Sequence, residues 1–307
     1  RSAWHLRRGL GMIYSASEVV CDYLDVTYSP DSQMIGSEFS MGSLVTWLLS
    51  VGAVCRKRDA TSSLFTVGDH GTIKTNSNSV FTRVSASGAT LAHLRAHGLF
   101  MEYLSELASE PHRVTRLDAA LDVARDGSEV ISEMRAMFPD GKASLGRKHL
   151  NVTYMTGIRS DGKESGTCYI GHRQRARQTA RVYDKALEAL EKRGEHLPPT
   201  SRYEITIRGE RGRPSPTLRD AAEPTSVFWH VASPTLLQAP ASAAPWVPSD
   251  GDSWVVKRPE LLPAEIVARR ISYNPDLDSI AQIASQDGQG GLKLMLRQIA
   301  QKYQIDL

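Results

Sequence analysis

Apolar and polar residues alternate along several short stretches of this chain, and each such stretch predicts a strand. Asp22–Tyr28 (DYLDVTY) is the first, closed by Ser29-Pro30-Asp31. Phe65–Thr75 and Ser79–Ser85 follow as a pair with a polar turn between them, and His112–Asp122 (HRVTRLDAALD) is the longest. Asn151–Gly157 and Thr167–Gly171 flank the polar turn Arg159–Gly166, and Ala180–Asp184 and Ser201–Arg208 complete the set. Helical spacing of three and four marks Leu91–Leu107, and helices are also expected over Met41–Val54, Gly127–Met137, Lys185–Lys192, Glu260–Arg270 and Leu292–Tyr303. Pro139-Asp140-Gly141 and Gly194 are the stop signals of two of them.

Strands interleaved with helices predict an α+β fold with an antiparallel-rich sheet core, packed helices and a small C-terminal helical region. The expected organisation is an N-terminal extension over 1–17, a main domain over 18–232, a Pro/Ala-rich linker or surface loop over 233–252, and a helical region over 253–307. At 307 residues, 41 % of them hydrophobic and 23 % charged, the chain can bury a substantial core. Leu44–Val54 is the longest apolar run and is broken by Thr46, Ser50 and Gly52, so no membrane span is expected. The basic stretch Arg1–Arg8 leads into polar sequence unlike a signal peptide. Cys21, Cys55 and Cys168 are far apart and odd in number, which fits neither a zinc site nor a disulfide framework and points to a reducing, cytoplasmic setting.

Strand alternation sorts the candidate chemistry. Arg116, Asp118, Ala120 and Asp122 share one face of their strand, while Leu117, Ala119, Leu121 and Val123 line the other. The same arithmetic groups Arg202, Glu204 and Thr206, and groups Arg181, Tyr183 and Lys185. Carboxylates are rarely buried unpaired. If these strands are neighbours, Asp118 and Glu204 form a site for a hard divalent cation, Mg²⁺ or Mn²⁺, able to polarise a phosphate. Tyr183 would be the nucleophile, with Lys185 about 7 Å along the strand to bind phosphate or assist loss of the phenol's proton. Asp122 lies about 13 Å from Asp118 along a straight strand, so the two cannot share one ion without a bulge. The alternative for this cluster is a salt-bridged, solvated face, and for a strand tyrosine it is core packing. The histidines lack ligand spacing; His93 and His97 are four apart without the glutamate of H-E-x-x-H.

Net charge is only +3, but its distribution is uneven. Between Arg173 and Arg213 there are eleven Lys and Arg against six Asp and Glu, and Arg173, Arg175, Arg177 and Arg181 fall just before Tyr183. Such a patch can hold several phosphates. A P-loop, a zinc finger and a KH loop are all absent from the sequence.

Three motifs in order, TRLDAALD (Thr115–Asp122), TCYIGHRQRARQTARVYDKALE (Thr167–Glu188) and SRYEITIR (Ser201–Arg208), resemble the replication initiation factor family of Rep_trans-type rolling-circle initiators. DYLDVTY and VFTRVSASGATLAHL are similar to its first strand and its serine–glycine turn, so the resemblance spans Asp22 to Arg208. It implies a Rep-like nicking fold of the HUH kind. It also implies a tyrosine that cleaves one origin strand and becomes joined to the 5′ phosphate, leaving a 3′ hydroxyl to prime synthesis. By that resemblance Tyr183 is the nucleophile, with Tyr169 as its rival. Asp118, Asp122 and Glu204 serve the metal, and Arg116, Arg181 and Arg202 meet phosphates or brace the carboxylates. The implied partners are origin DNA, single-stranded or in an extruded hairpin, a host helicase and a second copy of the chain. The sequence departs from the family's GSR motif at Gly171-His172-Arg173, where the turn is more basic. Two further readings stand beside nicking: a non-catalytic DNA-binding regulator, and a transposase or relaxase using the same chemistry.

Overall fold

The computed structural model describes residues 19–29, 32–35, 42–59, 61–78, 81–145, 148–159, 162, 164–172, 176–210, 215–233 and 236–247. The expected helices over 260–270 and 292–303, the extension over 1–17, and Arg173 and Arg175 lie outside these residues.

The described chain opens with β1 (Val20–Tyr28), α1 (Ser43–Ser50), β2 (Val54–Arg58), β3 (Ser62–Val67), β4 (Gly71–Ser77) and β5 (Thr82–Ala86). It continues through α2 (Gly88–Ala96), α3 (Phe100–Leu107), β6 (His112–Val123), α4 (Gly127–Met137), β7 (Lys142–Leu145) and β8 (Lys148–Ile158). The last elements are β9 (Glu164–Ile170), β10 (Gln178–Asp184), α5 (Lys185–Arg193), β11 (Ser201–Arg208), α6 (Leu218–Ala222) and α7 (Thr225–Ala232). The strands form one eleven-stranded sheet in the order β2-β3-β4-β5-β1-β6-β11-β10-β9-β8-β7. Every pairing in it is antiparallel. The expected α+β class with an antiparallel sheet and packed helices is what the structure has.

Alternation makes the sheet two-faced. Residues directly opposite in an antiparallel pair share a face. The register therefore draws one apolar row through Phe65, Ile73, Ala86, Leu24, Leu117 and Ile207. A second runs through Leu121, Tyr203, Val182, Cys168 and Tyr154. All but the partly buried Tyr154 are buried. Each large apolar side chain taken from water there contributes about 1.5–3 kcal/mol. The Tyr154 hydroxyl donates to the Met134 carbonyl of α4, at 2.9 Å, and so fixes α4 on this face. The Tyr28 hydroxyl does the same to Leu107 of α3 at 2.8 Å.

Several boundaries differ from the expectation, and two of these differences have identifiable reasons. Phe65–Thr75 is itself a hairpin of β3 and β4, because Gly68 has φ 61° and turns the chain back. The helical run 91–107 is two helices, α2 and α3, divided where Gly98 takes φ 69°. The segment 236–247 has neither helix nor strand. It is nonetheless packed down, with Leu236, Leu237 and Trp246 buried and the Trp246 indole N–H donating to Asp220 at 3.0 Å. Among the described residues no helix is long and apolar enough to cross a membrane.

Candidate functional site

The face opposite the helices is where the charged residues gather. Register places Glu204 between Ala120 and Arg181, Thr206 beside Asp118, Arg208 beside Arg116, and Tyr169 across from Arg181. Asp118 and Glu204 are thus diagonal neighbours on β6 and β11, each only 2 % exposed. A side chain so placed cannot rely on water for its charge. The Arg116 guanidinium donates to both oxygens of Asp118, at 2.8 and 2.5 Å, and the Arg181 guanidinium donates to Glu204 at 2.5 Å. Burial pushes the Glu204 carboxyl up to about 7, against the pull of Arg181 and with the push of the nearby Asp118 charge.

A cavity of about 710 Å³ opens over Glu204, lined by Arg116, Tyr169, Arg181, Thr206 and Arg208 among others. Three guanidiniums at its wall suit an anionic, phosphate-bearing occupant.

The two candidate tyrosines differ. Tyr169 is half-buried and lines the cavity. Tyr183 is 5 % exposed and lies beneath two cations, with the Arg181 guanidinium 4.9 Å and the Lys185 ammonium 5.8 Å from its ring centroid. Burial holds its phenol well above the usual range, while Arg181 and Arg202 pull the other way. Lys185 is the first residue of α5, where its ammonium bonds Glu188 at 2.6 Å.

Tyr183 is held in place from the next residue on. Asp184 caps α5 by accepting from the Leu187 N–H at 2.9 Å, and its other oxygen accepts from Ser165 Oγ at 3.0 Å and Arg159 at 3.2 Å. Gly127, opening α4, lies so close that a Cβ there would sit 2.3 Å from the Asp184 Cβ.

The structure separates Asp122 from the Asp118–Glu204 pair. Asp122 lies opposite Arg202, which donates to both of its oxygens at 2.6 and 2.7 Å and to Asp22 at 2.6 Å. Arg202 is buried by this double clasp and braces β1, β6 and β11 together instead of facing an open cavity. Arg177 sits beside β11, its carbonyl accepting from the Arg208 N–H at 2.8 Å.

Sequence reasoning missed the contribution of β1. A register shift between Cys21 and Tyr23 turns Asp22 toward Arg202, against simple alternation. Tyr23 carries the Arg116 guanidinium 4.3 Å from its ring centroid. Asp25, directly across from Arg116, is buried with Oδ1 lacking a hydrogen-bond partner. Alternation within DYLDVTY already set Tyr23 and Asp25 on one face. What the sequence lacked was the pairing of β1 with β6.

A divalent cation is implied by the family resemblance, and the donor set can be tested for fit. Among the described residues no group of three or more His, Cys, Asp or Glu is placed to hold a metal. Asp118 and Glu204 supply two hard oxygen ligands, and Mg²⁺ or Mn²⁺ commonly takes one or two carboxylates with phosphate and water completing the shell. Their mutual repulsion is the feature a cation would relieve, so the pair fits.

Residues 112–214, about a third of the chain, match the model of the Rep_trans family, described as replication initiation factor. That stretch contains all three motifs, and the family resemblance drawn from them is borne out over it. The solved rolling circle replication initiator protein from Geobacillus stearothermophilus is 15 % identical, covering 84 % of this chain and 97 % of its own at a TM-score of 0.47. The di-domain ARO/CYC BexL from the BE-7585A biosynthetic pathway is 12 % identical, covering 60 % of this chain and 76 % of its own at a TM-score of 0.20. No curated protein matches.

Proposed function

We propose that this chain initiates rolling-circle replication by nicking one strand of origin DNA and holding its 5′ phosphate on Tyr183. The observation that carries the reading is the buried pair Asp118–Glu204, each capped by an arginine, with Glu204 lining a cavity walled also by Arg116, Arg181 and Arg208. The Asp118 charge still pushes on Glu204 despite those arginines, and a bound cation would relieve that push.

The chemistry follows from these groups. The Tyr183 oxygen forms a bond to phosphorus as the P–O3′ bond breaks; the phenol gives up its proton and the departing 3′ oxygen gains one. A phenol ordinarily titrates near 10, and burial makes this one harder to ionise. Arg181, Arg202 and Lys185 therefore favour the phenolate, and Arg116, Arg181 and Arg208 orient the phosphate. A Mg²⁺ or Mn²⁺ ion held by Asp118 and Glu204 would supply Lewis-acid stabilisation of charge on the phosphate oxygens. The phosphotyrosine conserves the bond energy, so closure by the 3′ hydroxyl needs no ATP. A strand must be unpaired to reach such a site, which makes single-stranded or hairpin-extruded DNA the substrate. Lacking a P-loop, the chain leaves unwinding to a separate helicase.

A second reading, favoured by the position of Tyr169 on the cavity wall, keeps the reaction and makes Tyr169 the nucleophile. Conversion of supercoiled DNA carrying the chain's own gene and flanks to open circles tests the proposal. Nicking is expected with Mn²⁺ and not with EDTA, and it should vanish in Asp118→Asn and Glu204→Gln. Tight binding without nicking under any metal would leave a DNA-binding regulator in its place.

A further inference from the structure

The open face does not stop at the cavity. Register carries it from Arg208 and Arg116 on through Asp25, Ser85, Lys74 and Leu64 to Lys57 at the edge of the sheet. A parallel row runs through Arg113, Thr27, Arg83 and Asn76. Lys57, Lys74 and Arg83 are exposed and Arg113 is half-buried. The acid within these rows is the buried Asp25; Asp59, which meets Lys57 at 3.5 Å, is beyond the end of β2.

A face kept merely soluble interleaves both signs, as α5 does with Lys185, Glu188 and Lys192. This one sets bases among hydroxyl and amide side chains, which are phosphate-binding groups. The aromatic rings beside these rows, Tyr23 and Phe81, are half-buried and carry the Arg116 and Arg83 guanidiniums 4.3 and 5.1 Å from their centroids, so backbone contact to a duplex fits better than base stacking. From β2 to β6 there are five strand spacings, about 24 Å, or about seven base pairs of B-DNA.

We propose that the open face of β2–β5 and β1 is a second DNA-binding site, which holds the duplex flanking the nick by its phosphates. It rests on the reading of the cavity as the seat of a DNA strand.

The test is fluorescence anisotropy on the full chain with two probes. One is a single strand of about 12 nucleotides, and the other is the same strand with a duplex flank of about ten base pairs. The flank should tighten binding about tenfold and steepen its salt dependence. The double variant Lys74→Gln/Arg83→Gln should lose that gain and reduce the salt slope for the flanked probe by about two. It should bind the bare strand as the parent does, with an unchanged thermal melt. An equal gain from the flank in parent and variant would overturn the second site while leaving the cavity reading intact. Failure of the parent to bind either probe would overturn both.

Discussion

Replacing Arg181 by Met probes the electrostatics of the site through folding stability alone. Glu204 is 2 % exposed and its carboxyl is raised to about 7 even with the Arg181 guanidinium 2.5 Å away. A carboxyl raised in the folded state binds its proton more tightly there than in the unfolded chain. Its contribution to stability is therefore lost as pH climbs from the unfolded value of 4.5 through about 7. Without Arg181 the folded value moves higher, and the loss continues above 7 where the parent's has levelled off. At pH 6 both proteins hold Glu204 neutral, and the variant should be weaker by only about 1 kcal/mol, the usual worth of a hydrogen bond. Above pH 7 the gap should widen by about 1.4 kcal/mol per pH unit, reaching about 3–4 kcal/mol at pH 9. Urea unfolding at pH 6 and pH 9 measures it, and Glu204→Gln in the same background should remove the pH-dependent part. A gap that is the same at both pH values, or one that survives Glu204→Gln, would refute the claim that Glu204 sits uncompensated without its arginine.

Other consequences are as direct. Arg202→Lys should fail to replace the fork that spans Asp122 and Asp22, costing about 2–3 kcal/mol in urea unfolding, because an ammonium cannot donate to both oxygens of one carboxylate and also to a second group in the same geometry. Gly127→Ala should drive a methyl into Asp184 and destabilise by about 1–3 kcal/mol in thermal melts, and it should slow nicking because Asp184 anchors the residue before it, Tyr183. At subsaturating Mn²⁺ the nicking rate should rise with pH, since the cation must displace the raised Glu204 proton, and saturating Mn²⁺ should move that rise to lower pH; a pH profile insensitive to metal concentration would contradict Glu204 as a ligand.

Much of this arrangement was legible in alternation alone. TRLDAALD and SRYEITIR each separate an apolar face from a charged one, and the sheet uses them that way, with Leu117 against Ile207 and Asp118 beside Thr206. The helix expected over about Gly127–Met137, with Pro139 following its end, is α4, and Asp126 caps its start by accepting from the Ser128 N–H. What could not be read was which strands are neighbours. That information decided the site. Arg202, expected to meet phosphates or brace the carboxylates, is clasped by Asp122 and by Asp22 of β1, and Asp25 comes to face Arg116 only through the pairing of β1 with β6. The helices α6 and α7 escaped notice because each is short and Pro224 sits between them. The 236–247 strap reads as loop in composition, and only its contacts bring Leu236, Leu237 and Trp246 into the core.

The most direct test of the central claim is to locate the covalent bond. The purified chain would be incubated with single-stranded DNA from its own gene and flanks, with and without Mn²⁺, then denatured, digested and mapped by peptide mass. The account predicts a nucleotide on the peptide containing Tyr183, formed only with metal and absent in Tyr183→Phe. A nucleotide on Tyr169 would keep the reaction and contradict the choice of nucleophile, and tight DNA binding with no adduct on either tyrosine would contradict the enzyme itself.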